Sequence, residues 1–178
     1  MNRRFFIIWC VAAVLASGAS ARAAAGLRIV PIVYDDQVLV SFELADAYTD
    51  EVRDAIASGL RTTFTYDVEL RMVVPAWVDR TIATAVVSTS DQYDNLIRRH
   101  SLTRTVDGRV EEASVTEDDA VVRRWLTTLS RLPLCRTSKL DPSRDYYVRI
   151  RARVRPHRAS IFDWAGGITG QAKFTFIR

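Results

Sequence analysis

The sequence is short of the residue types on which most catalytic and metal chemistry depends. It holds two histidines, two cysteines and two lysines, Lys139 and Lys173, in 178 residues. There is no HExxH pair for zinc, no cysteine cluster and no nucleophile elbow. Glycine is scarce, and Gly166-Gly167-Ile168-Thr169-Gly170 leads into a strand rather than a helix, which excludes a dinucleotide-binding loop. Asp35-Asp36 lacks the alternating oxygen ligands of a calcium loop. No linker, internal repeat or low-complexity segment interrupts the chain. The apolar run Phe5–Leu15 is too short for the ~20 residues of a spanning helix.

What that run does fit is a signal peptide. Arg3 and Arg4 form a positive n-region, Phe5–Leu15 an uncharged h-region, and small residues follow, with Ala21 and Ala23 at the spacing signal peptidase accepts. Residues 1–23 are expected to be a leader, and residues 24–178 one exported domain; an uncleaved anchor fits the small-residue tail less well. Cys10 lacks the small residues before it that a lipoprotein site needs. Loss of Arg3, Arg4 and Arg22 takes 25 basic side chains to 22 against 21 acids, so the mature net charge is +1 and does not argue for a nucleic-acid partner. Only Cys135 then remains, so no intramolecular disulfide forms, and its apolar neighbours point to a buried, inert thiol. A chain of this length buries roughly 70% of its unfolded surface and needs no staple.

Residues 27–34 and 37–45 read as a hairpin about Asp35-Asp36. A helix follows, with Thr49 as its N-cap, Asp50 and Glu51 at its positive end, Val52, Ala55, Ile56 and Leu60 as its apolar stripe, and Gly59 as its stop. Strict alternation marks 61–74 as a strand, with Phe64, Tyr66, Val68, Leu70 and Met72 on one face. Two strands are expected at 80–90 and 92–106. Asp107-Gly108 is a tight turn into a return strand at 109–115. A second helix runs from Thr116, paired with Asp119 in a capping-box pattern, to just before Pro133; Val122, Trp125, Leu126 and Leu129 are its stripe and Arg131 lies near its negative end. After the Asp141-Pro142-Ser143 turn, Tyr146–Pro156 alternates strictly. A loop at 157–170 precedes a last strand, 172–178, with Ala172, Phe174 and Phe176 on one face. The order ββαββββαββ, with short connections, points to an α+β domain, a mainly antiparallel sheet covered by two helices; a β-sandwich carrying two helices is the alternative.

The stretches VSFELADAYTDEVRDAIASGLRTTFTYDVELR, YDNLIRRHSLTR, DGRVEEASVTEDDAVVRRWLT, YYVRIRARVRP and AKFTFIR, in this order, resemble the domain of unknown function 4390 family, over about 27–178. The resemblance implies an exported protein of a Gram-negative bacterium, hence a periplasmic one. It brings no activity, catalytic residue or cofactor. Family members encoded beside a nitrogen-regulation-type sensor kinase imply an envelope sensing or interaction role. The loop before the last strand is usually richer in tryptophan, so IFDWAGG departs from the pattern.

Two features stand out as candidate contacts. Arg149, Arg151, Arg153 and Arg155 stand ~6.6 Å apart on one strand face. Their mutual repulsion calls for acids on neighbouring strands, such as Asp67 and Glu69 or Glu111 and Glu112, or else for an anion such as lipid phosphate, glycan or an acidic partner. The loop residues Ile161, Phe162 and Trp164 are candidates for a membrane or partner contact. His100 and His157 read as surface histidines, and Glu117-Asp118-Asp119 as helix-start electrostatics rather than a metal site. No cofactor, metal or catalytic group is assigned. The expected function is a non-catalytic interaction module of the cell envelope, meeting an envelope or inner-membrane protein and linked to a membrane sensor kinase. The alternative is an envelope protein that binds anionic lipid or glycan through the arginine face.

Overall fold

A computed structural model describes residues 26–156 and 167–174. The expected leader and cleavage site, His157, the loop residues Ile161, Phe162 and Trp164, and Phe176 lie outside the described residues. Strands β1 (Leu27–Tyr34) and β2 (Gln37–Leu44) lead to helix α1 (Asp50–Ala57). Four strands follow: β3 (Thr62–Met72), β4 (Arg80–Asp94), β5 (Arg99–Val106) and β6 (Arg109–Thr116). Helix α2 (Asp119–Thr127) runs directly into β7 (Thr128–Arg136), and β8 (Tyr146–Pro156) and β9 (Ile168–Phe174) complete the order.

The fold is α+β and mainly antiparallel. It has two sheets, β1-β2-β7 and β6-β5-β4-β3-β8-β9, so the large sheet is covered by the small sheet as well as by the helices. Val38, Val40, Phe42 and Leu44 of β2 bury one continuous core with Phe64, Tyr66, Val68 and Leu70 of β3 and Val148, Ile150 and Ala152 of β8. The Phe42 and Tyr66 rings meet between the sheets, 4.7 Å apart. No described helix is long and apolar enough to cross a membrane.

Several local expectations hold for their stated reasons. Asp35, Asp36, Asp107 and Gly108 all have positive φ, as tight hairpin turns require. The Thr49 hydroxyl accepts the Val52 amide at 3.4 Å, and Gly59 sits at φ +82° just beyond α1.

Other expectations are corrected. The second helix stops at Thr127, where the chain turns fully extended at Thr128, and the element order gains a strand. Leu129, the last residue of the expected helical stripe, instead pairs with Phe42 of β2, and Leu132 pairs with Val40. Pro133 is tolerated because β7 is an edge strand. Arg131 therefore lies in a strand, at φ +55°. The α2 cap is Asp118, whose carboxylate accepts the Ala120 amide at 2.8 Å; Thr116 instead accepts the Asp118 amide. Trp125 is only half-buried, beneath the Arg104 guanidinium at 4.2 Å. The break between the fourth and fifth strands falls at residues 95–98, not at Asp91. The last strand begins at Ile168, and its Gly170 packs close to β1: a Cβ there would lie 2.9 Å from Leu27 Cδ2.

Candidate functional site

The arginine stripe occupies the outer face of β8, between β3 and β9. Direct cross-strand register sets Glu69 opposite Arg149 and Asp67 opposite Arg151. Arg149 pairs with Glu69 at 2.7 Å, but Asp67 is taken diagonally by Arg153 at 2.5 Å. Arg151 and Arg155 are left exposed with no carboxylate partner among the described residues. Glu111 and Glu112 do not contribute, because they lie on β6 at the far edge of the sheet; Glu112 pairs with Arg104 of β5 at 2.7 Å. Half of the stripe is thus a cross-strand charge ladder, and the other half has no such partner among the described residues. Tyr147, on the same side of β8, is buried, and its hydroxyl donates to Asp79 at 2.7 Å.

The structure brings together a second group that alternation alone conceals. His100 is buried, contrary to its reading as a surface residue. Its Nδ1 lies 2.9 Å from Asp91 Oδ2 and its Nε2 3.3 Å from Asp119 Oδ1. Asp91 is fully buried in β4, Asp119 is exposed at the start of α2, and the Tyr93 ring packs on the imidazole at 4.5 Å. Burial pushes the Asp91 carboxyl up, while the hydrogen bond and charge of His100 pull it back. The Nδ1 contact to Asp91 is a hydrogen bond, whereas the Nε2 approach to Asp119 is an ion-pair distance without hydrogen-bond geometry. The signal for this site is one of parity. Ala85, Val87 and Thr89 share the inward face of β4 with Asp91, and Leu102 shares that of β5 with His100.

Beside His100 a cleft of about 490 Å³ opens between α1 and the start of α2. Ile56, Ala57 and Tyr93 give it apolar surface. Arg53 and Arg98 contribute cations, Glu117 and Asp119 anions. Glu117 also pairs with Arg99 at 2.9 Å. Burial raises the Tyr48 phenol, which feels the negative charges of Asp119 and Asp91 and the positive charge of Arg53. Among the described residues no group of three or more His, Cys, Asp and Glu is placed to hold a metal ion.

The adjoining β4–β5 turn carries two adjacent apolar side chains in solvent, Leu96 at 94% and Ile97 at 63% exposure. The Asp94 carboxylate accepts the amides of both, at 2.8 and 3.3 Å, and so fixes the tip.

Cys135 is half-buried on β7 opposite Val38, not fully enclosed, and burial pushes its thiol up while Lys139 pulls it down. Native Cys135 is expected to react with iodoacetamide at pH 8 several-fold more slowly than the same thiol in urea. Equal rates would show a thiol free of the core.

Neither a comparison with curated proteins nor one with solved structures returns a match. A family model does match, over residues 26–160, and its description is a domain of unknown function. The chain belongs to that family, DUF4390.

Proposed function

We propose that the chain is an exported, periplasmic, non-catalytic interaction module of the cell envelope, which docks onto an envelope or inner-membrane protein, a membrane sensor kinase being the partner class that its family suggests. The observation that carries this reading is the β4–β5 tip. Two neighbouring aliphatic side chains in water, held by a fixed turn, gain free energy only when something covers them. Full burial of two such side chains is worth about 1.5–3 kcal/mol each, which suits a small anchor for a partner's pocket. The non-catalytic reading rests on the environment of His100. His100 is buried, its Nδ1 hydrogen-bonds the buried Asp91 and its Nε2 lies 3.3 Å from Asp119, so the ring is held between two carboxylates of its own chain.

A second reading keeps Arg151 and Arg155 as a contact for anionic lipid or glycan, since neither has a carboxylate partner among the described residues. One experiment separates the two. A photo-crosslinking amino acid at position 96 or at position 151 is irradiated in intact envelopes. A single membrane-protein adduct at 96, lost on Ile97→Asp, is the expected result. Lipid adducts at 151 with none at 96 would favour the second reading, and no adduct at either position would overturn both.

A further inference from the structure

We propose that the cleft between α1 and α2 is a binding site for a small zwitterion of the amino-acid class, its carboxylate on Arg98 and Arg53, its ammonium on Glu117 and Asp119, and its side chain over Ile56 and Tyr93. The two signs of charge enter the cleft from different elements. Arg53 is on α1 and Arg98 on the β4–β5 turn, whereas Glu117 and Asp119 flank the start of α2. Tyr48 lines the same cleft. Arg98 has no carboxylate partner among the described residues and lines the cleft with its cation available. Asp119 spends Oδ1 on the buried His100 and keeps a second oxygen for a donor.

This charge pattern decides the ligand class. A phosphate or other dianion would be repelled by Glu117 and Asp119. A divalent cation would meet Arg53 and Arg98. A wholly apolar molecule would strip water from Arg98 with nothing to replace it. It would also cover Arg53, Glu117 and Asp119, which have partners of their own in Asp50, Arg99 and His100 but keep hydrated polar atoms. A zwitterion with an apolar body satisfies both walls and covers the floor between them, and the cleft volume of about 490 Å³ is at the small end of ligand pockets. Because the charged walls are exposed, affinity is modest and falls with salt.

The test is calorimetric titration of the folded chain with phenylalanine, N-acetylphenylalanine and phenylalaninamide. Phenylalanine should bind saturably, and each capped analogue about tenfold more weakly, since each loses its charged contact with one wall. Two exposed substitutions then assign the walls. Arg98→Asn, where asparagine tolerates the positive φ of 57°, should weaken phenylalanine and its N-acetyl form but not the amide. Glu117→Gln should weaken phenylalanine and the amide but not the N-acetyl form. Thermal melts check that both variants fold, and either one alone suffices for the assignment. No saturable heat up to about 10 mM, which corresponds to a Kd weaker than a useful site, would overturn the proposal. So would equal binding of all three probes, or binding that neither substitution changes. The docking tip is untouched by these variants, so the proposal and the proposed function fail separately.

Discussion

Replacing His100 with leucine should cost about 3 kcal/mol at pH 7, because it leaves the Asp91 carboxyl, with 0% of its surface exposed, without its hydrogen-bond partner. The cost should depend on pH with a definite sign. Without His100, burial raises the Asp91 carboxyl further above its unfolded value. A group whose folded value is raised contributes stability that is present below its unfolded value and is lost as pH rises through the folded one. The deficit against the parent protein should therefore be smallest near pH 4 and grow toward pH 7. Urea titrations at several pH values measure it. A double variant, Asp91→Leu with His100→Leu, should recover much of the loss, since an apolar pair of similar size avoids the buried charge. A deficit under about 1 kcal/mol, or one flat with pH, would show that the pair is not buried as described.

Leu126→Ala should cost about 2–5 kcal/mol and lower Tm by roughly 2–4 °C for each kcal/mol. Leu126 is fully buried at the end of α2, where the helix meets the large sheet. Its carbonyl accepts the Tyr66 hydroxyl at 2.6 Å and the Thr89 hydroxyl at 3.2 Å, so the backbone is held while the side chain fills the core. Truncation therefore leaves a cavity that the helix cannot easily close. Tyr66→Phe, by contrast, should cost about 1 kcal/mol, because Thr89 still satisfies the carbonyl. A thermal melt of each variant reads both. An unchanged Tm for Leu126→Ala would mean that α2 does not dock through this residue.

His100 marks a place where sequence and structure part company, whereas Leu126 is buried as its place in the helical stripe leads one to expect. Strands β3 and β8 are legible because every second residue is apolar over their full length, and that pattern fits only a half-buried strand. The charge ladder is half legible. Asp67 and Glu69 are visible as acids at the right parity, but nothing local distinguishes them from Glu111 and Glu112 as neighbours of β8. The cleft is not legible at all. It draws Tyr48 and Arg53, then Tyr93, Arg98 and His100, then Asp119 from three stretches of chain between residues 48 and 119, none of which carries a ligand-binding motif. His100 is masked by the arginines beside it, Arg98 and Arg99, which make the segment look wet although the inward parity of β5 buries the imidazole.

By itself, then, the sequence determined the features whose cause is local: the α+β class and antiparallel strands, the turns at Asp35-Asp36 and Asp107-Gly108, the Thr49 cap, and the resemblance to its family. Each rests on the preferences of a few consecutive residues. Tertiary structure alone decided where α2 gives way to β7, which acids meet the arginines, and that His100 and Asp91 face inward as a pair. Leu129 satisfies a helical stripe and a strand face equally well. The choice between them falls to the free edge of β2, which offers hydrogen bonds and an apolar surface that no local window contains.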